Sequence, residues 1–131
     1  MTGLDPGWES DWLAAVGGDA EFRLISRWTN VTLRLSGDGF DRSYRINNST
    51  ITVQEEVPTE GTVALIGSAD AWNSYLAPTP RPNNHHILAM QRRRNDFFIE
   101  GHHALVQNLH VLNRVLDLMR TVAAARREDV A

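Results

Sequence analysis

Cysteine is absent from the 131 residues, which excludes disulfides, thiolate metal ligation and thiol catalysis. Lysine is absent too: all 13 basic residues are Arg, so Schiff-base and P-loop lysine chemistry are excluded, and the bias fits a GC-rich coding sequence. No apolar run approaches the ~18 residues of a membrane span. The first nine residues carry Asp5, Trp8 and Glu9 where a signal peptide would carry basic residues, so a cytoplasmic protein is expected. A basic excess is also missing. With a net charge of −3 and a pI near 5.9, the chain as a whole does not attract nucleic-acid phosphates or an anionic membrane, and nucleic acid is not an expected partner. Internal repeats, low-complexity tracts, a Gly-x-Ser-x-Gly nucleophile elbow and a His-Glu-x-x-His metal motif are all missing.

What is present is ordinary globular composition, 42% hydrophobic and 22% charged, in a chain long enough for one core and too short for two domains. Trp8, Trp12, Leu13 and Val16 recur at helical spacing until Gly17-Gly18. Asp19 is a good N-cap for a short helix over 20–28 with Phe22, Leu24, Ile25 and Trp28 as its apolar residues. From Asn30 the period falls to two, with Val31, Leu33 and Leu35 on one face. Gly37-Asp38-Gly39 then turns the chain into a strand whose Phe40, Arg42, Tyr44 and Ile46 share a face. Asn47-Asn48 suits the left-handed positions of a second hairpin turn, and Ile51 and Val53 mark a third strand. Thr62 to Ile66 is a fourth, more continuously apolar and interior strand. Three hairpin-like connections in succession predict an antiparallel meander.

Ser68 is placed to cap a helix to about Leu76, with Ala69, Trp72 and Leu76 on its inner face. Residues 78–84 form a proline-stiffened loop, Ile87 to Met90 a helical turn, and Phe97 to Glu100 a short fifth strand. From His102 to about Met119, apolar residues at 105, 109, 112, 116 and 119 predict one long helix. The fold class is therefore α+β: an antiparallel or mixed five-stranded sheet covered on one face by helices. The expected organisation is a helical extension over 1–18, a domain over 19–121 and a frayed tail over 122–131.

This order resembles the sterol carrier protein type two (SCP-2) family of small lipid-binding domains over about residues 19–120. The resemblance rests on an alternating strand after a short helix, the apolar strand Thr62 to Ile66, the helix with Trp72 and Leu76, and Phe97-Phe98-Ile99-Glu100-Gly101 leading into a Leu-rich helix. It departs where the family has Gly-Lys before the short strand: Arg94-Asn95-Asp96 stands there, and Asn95 is expected to supply the left-handed geometry. The resemblance implies binding rather than catalysis, with a fatty acyl chain, sterol or similar hydrophobic ligand between sheet and helices and no cofactor or metal.

Five histidines lie between residues 85 and 110. The pairs His85-His86 and His102-His103, with Glu100 or Asp96, would offer Zn or Fe ligands if they converged. Adjacent histidines point in different directions, however, so solvated positions at turns and helix starts are expected, with His103, Gln107 and His110 on one helix face. Arg92-Arg93-Arg94 can clamp a carboxylate or phosphate through bidentate guanidinium donors. The expected ligand site combines Phe40, Tyr44, Val53, Trp72, Leu76, Met90, Leu105, Leu109 and Leu112 around the apolar part with Arg92, Arg93 and Arg94 near the polar end. Two other classes stay open. One is a small α+β enzyme using a His and a carboxylate inside the pocket on a hydrophobic substrate. The other is an accessory subunit whose groove takes a partner helix, favoured if Trp8 and Trp12 sit on a free N-terminal helix. A homodimer or a partner enzyme would be the protein partners.

Overall fold

A computed structural model describes residues 6–58, 60–77 and 86–130. The order is α1 (Pro6–Gly17), α2 (Ala20–Ile25), β1 (Asn30–Gly37), β2 (Phe40–Asn47), β3 (Thr50–Gln54), β4 (Thr62–Gly67), α3 (Ala69–Tyr75), α4 (Ile87–Arg93), β5 (Phe97–Glu100), α5 (His102–Gln107) and α6 (Leu109–Val130). The five strands form one mixed sheet in the order β3-β2-β1-β4-β5, the α+β class expected.

Only the first two connections are hairpins. β4 returns to the centre and runs parallel to β1, with Leu33 beside Val63 and Leu35 beside Leu65, while β5 is antiparallel to β4 at the edge. The predicted meander is thus corrected to a crossover. β3 is short and mostly exposed, as an edge strand should be, whereas β4 is buried along most of its length. The second hairpin also turns one residue later than expected. Asn47 pairs with Thr50, leaving Asn48 and Ser49 at φ 47° and 69°, the positive values a two-residue hairpin loop requires.

The pleat sends Val31, Leu33, Leu35, Tyr44, Ile46, Val63, Leu65, Phe97 and Ile99 to one buried face. The helices cover that face. Trp12 of α1 is fully buried and its Nε1 donates to the Val115 carbonyl of α6 at 3.1 Å, so α1 is core structure rather than a free helix. α2 is capped by Asp19, whose carboxylate accepts from the Phe22 amide at 2.8 Å. It ends at Ile25, three residues before the expected end, and only Phe22 of its apolar residues is buried.

The predicted single C-terminal helix is two helices. Asn108 donates through its side chain to the Ala104 carbonyl at 2.8 Å, the local competition with the helix ladder that Asn provides. α5 therefore stops at Gln107, and His103 and His110 fall on different helices. α6 in turn continues to Val130, well past Met119, and keeps Val122 and Ala123 in the core cluster. Gly101 starts α5 at φ 84°, where any Cβ would overlap the Thr62 carbonyl oxygen; only glycine combines that dihedral with that approach. Asn95 does not play such a role, since among the described residues Asn48 and Ser49 are the non-glycine positions of positive φ. An ion pair shapes the turn instead: Arg94 Nε donates to Asp96 Oδ1 at 2.7 Å, and Asp96 Oδ2 accepts from Ser68 Oγ at 2.6 Å. The proline loop over 78–84 and His85 lie outside the described residues.

Candidate functional site

The layer between sheet and helices gathers the expected apolar residues. Tyr44, Trp72, Leu76, Met90, Leu105 and Leu112 are buried in a single cluster, and Phe40 and Leu109 pack against it half-buried. Val53, on the edge strand, is 39% exposed and sits at the rim.

Trp72 organises one end of this layer. Ser68 caps α3 by accepting from the Ala71 amide at 3.0 Å, and the helix buries Ala71, Trp72 and Tyr75. The inner stripe is therefore rotated slightly from the expected Ala69, Trp72 and Leu76. The indole centroid lies 5.6 Å from Phe97 and 6.4 Å from both Phe40 and Tyr75, in the tilted and edge-on arrangements aromatic quadrupoles favour. Trp72 Nε1 donates to the Ser36 carbonyl at 3.0 Å. The rings fit because β4 ends in Gly67, where a Cβ would come within 2.9 Å of the Phe97 ring and 3.1 Å of Trp72 Nε1. Phe40, only half-buried, carries this aromatic cluster to the surface at the β1–β2 hairpin.

The other end holds a charged network that sequence reasoning missed. Glu9 of α1 accepts from Arg42 Nε at 2.8 Å, from Arg42 Nη2 at 2.7 Å and from the Tyr44 hydroxyl at 2.7 Å. The Arg42 hydrogen bonds hold the Glu9 carboxyl below its usual range, outweighing desolvation, while burial and the neighbouring carboxylate push the Tyr44 phenol up. The signal was legible: Arg42 shares the core-facing side of β2 with Phe40 and Tyr44, and a guanidinium there needs an acid from the covering helix.

The three consecutive arginines do different things. Arg94 is tied to Asp96 and, through Nη2 at 2.6 Å, to Asp70, so it joins α3 to the turn before β5. Arg92 and Arg93 lie exposed on the last turn of α4, beyond the buried Met90. The four described histidines stay at the periphery. His86 caps α4 by accepting from the Leu88 amide at 3.1 Å, His102 Nε2 lies 3.2 Å from Gln91 Nε2, His110 Nε2 is 4.0 Å from Glu21, and His103 is exposed. None of these pairs a His with a carboxylate inside the apolar layer.

A separate cavity of about 400 Å³ opens on the far side of the sheet, lined by Asn30, Val31, Thr32, Arg45, Gln54, Pro58, Glu60 and Gly61. It arises where the β3–β4 connection passes the uncovered face, a path the meander expectation hid. Its amides and opposed charges suit water or a small polar molecule, and Val31 is the one lining residue that also belongs to the buried core.

The fold is SCP-2-like, a mixed sheet with helices over one face and an aromatic-aliphatic layer between them. Two solved structures share it. One, described as a UbiJ-SCP2 ubiquinone synthesis protein, superposes with a TM-score of 0.58 at 15% identity, covering 87% of this chain and 93% of its own. The other is a solution structure of a conserved hypothetical protein from Thermus thermophilus, with a suggested identity as a sterol carrier protein; its TM-score is 0.63 at 15% identity, covering 93% and 90%. No protein-family model and no curated protein sequence matches the chain.

Proposed function

We propose that this protein is a non-enzymatic carrier of a hydrophobic ligand, a fatty acyl chain, sterol or similar lipid, held between the sheet and the helices. The observation that carries the reading is the fold shared over most of both chains with a protein described as UbiJ-SCP2 and with one suggested to be a sterol carrier. The composition of the layer supports it. Phe40, Tyr44, Trp72, Leu76, Met90, Leu105, Leu109 and Leu112 offer apolar contact without a His and carboxylate pair among them, which favours a carrier over an acid-base enzyme. Phe40 and Val53, the two least buried aromatic and aliphatic members at the rim, are where a chain would enter. Arg92 and Arg93, exposed at the end of α4, would meet an anionic headgroup, while Arg94 remains committed to Asp70 and Asp96.

Titration with saturated acids from lauric to stearic, followed by thermal unfolding, tests the reading. A ligand that binds only the folded state raises the melting temperature with concentration. A rise that depends on chain length is expected; no rise with any acid or with cholesterol would remove the reading.

A further inference from the structure

Among the described residues, the most exposed large apolar side chain lies away from the core layer. Trp28 is 88% exposed, and Leu24, four residues earlier, is 67% exposed. The other three of the four tryptophans are 6% exposed or less. An indole left in water forgoes the stabilisation that burial gives every other one here.

The corner that presents it is rigid. Ser26 Oγ donates to the Phe22 carbonyl at 2.6 Å, Ser49 N donates to the Ser26 carbonyl at 3.2 Å, Ser49 Oγ to the Arg23 carbonyl at 2.6 Å, and Asn48 N to the Thr29 carbonyl at 3.1 Å. The unusual left-handed Ser49 thus clamps the end of α2 to the β2–β3 turn. Trp28 stands on a fixed support.

Its charge surroundings are mixed with a positive excess, two carboxylates, Asp19 and Glu21, against three guanidiniums, Arg23, Arg27 and Arg114. The nearby acids are occupied by α6: Arg114 lies 2.7 Å from Asp19 and 3.1 Å from Glu21. Arg23 contributes only a longer-range pull on Asp19. Arg27 lies over the Trp28 ring at 5.4 Å. Neither Arg23 nor Arg27 is ion-paired among the described residues, so the corner is locally positive although the chain carries −3. An apolar pair flanked by unpaired guanidiniums on a rigid corner matches a surface that is anionic outside and apolar just beneath. Tryptophan favours the boundary between headgroups and hydrocarbon, and arginine reaches lipid phosphates while its stem stays apolar.

We infer that Arg23, Leu24, Arg27 and Trp28 dock the protein on an anionic lipid bilayer. This deepens the carrier reading, since a carrier loads and unloads at a bilayer, yet docking is measured without any cargo. The whole-chain charge makes the attachment local and salt-sensitive.

Trp28 is its own reporter, because the other indoles are buried. The full chain is mixed with vesicles of phosphatidylcholine alone or with phosphatidylglycerol added, with and without brominated acyl chains. A blue shift and bromine quenching are expected only on the anionic vesicles at low salt, fading as salt is raised. The double variant R23Q/R27Q should lose roughly thirtyfold in vesicle affinity, and Trp28→Ala should lose both the signal and binding by sedimentation. Circular dichroism matching the parent shows that these exposed changes leave the fold intact. Equal binding to both vesicle types, or no quenching at low salt, overturns the proposal. So does a blue shift that grows with protein concentration without vesicles, which would assign the corner to a second copy of the chain. If docking fails while fatty acids still raise the melting temperature, the carrier reading stands alone; docking without any such rise leaves the corner and removes the cargo.

Discussion

Replacing Trp72 by Ala removes the largest side chain from the aromatic end of the layer. The indole is 1% exposed and lies among Phe40, Tyr75 and Phe97, so its removal forfeits transfer free energy and leaves a cavity, about 3 to 5 kcal/mol for a buried Trp. The Ser36 carbonyl loses its indole donor as well, which favours the upper part of that range. For a domain of this size the loss corresponds to a fall in melting temperature of roughly 10–20 °C. Urea unfolding followed by circular dichroism reads it directly. Trp72→Phe keeps most of the ring contact but loses the hydrogen bond and part of the packing, so it should cost less, about 1 to 2 kcal/mol. A long-chain acid that fills the vacated volume should raise the variant's melting temperature at least as much as the parent's. A loss below ~1 kcal/mol for Trp72→Ala would refute the packing argument, because a well-packed indole cannot be removed that cheaply.

Acid should weaken the fold in a defined window. Arg114 holds the Asp19 carboxyl at about 2, against an ordinary 3.8, and Arg94 with Ser68 holds Asp96 at about 2. A carboxyl depressed by folding stabilises above its unfolded value and loses that contribution as pH falls toward its folded one. Stability should therefore drop between about pH 4 and pH 2, and Asp19→Asn should flatten that drop while lowering stability at neutral pH, as pH-resolved urea titrations would show. Gly101→Ala should prevent stable folding or cost several kcal/mol, since ~1 to 2 kcal/mol of left-handed strain adds to overlap with the Thr62 carbonyl; a parent-like melting temperature would contradict it. Arg94→Gln should destabilise the protein by breaking the Asp70 and Asp96 contacts. R92Q/R93Q should instead leave the melting temperature unchanged and weaken a fatty acid more than its alcohol; equal weakening of the two would remove Arg92 and Arg93 from headgroup binding.

Much of this fold could be read from side-chain period. The alternation of Val31, Leu33 and Leu35 and the face shared by Phe40, Arg42, Tyr44 and Ile46 follow from the pleat alone, and both faces are as the sequence suggests. Pairing order is a different matter. Pro58 and Gly61 punctuate the chain in the same way whether the next strand turns back or crosses over, so local residues do not separate a meander from a parallel return. The exposed character of β3 held the clue, because Thr50, Thr52 and Gln54 suit an edge that nothing further pairs with.

The break at Asn108 was hidden for a related reason. Leu105, Leu109, Leu112, Leu116 and Met119 keep helical spacing across it, and only the side-chain bond from Asn108 to Ala104 reveals the interruption. Leu24 and Trp28 show the limit of hydrophobicity itself, since apolar residues are on average inside but nothing in a short helix requires each of them to be. Within the layer, the burial of Tyr44, Trp72, Leu76, Met90, Leu105 and Leu112 was legible from the faces they share. The need for an acid opposite Arg42 was legible as well, but its identity was not, because α1 carries two, Glu9 and Asp11, and only the spatial position of Arg42 selects Glu9.

The central claim is that a hydrophobic ligand occupies the layer between the sheet and the helices, and native mass spectrometry of the protein purified from cells without detergent tests it most directly. The expected result is an adduct of lipid mass that survives gentle desolvation, is recovered by solvent extraction, and is displaced by added stearic acid. A bare polypeptide mass that stays unchanged when fatty acids or cholesterol are added would contradict it.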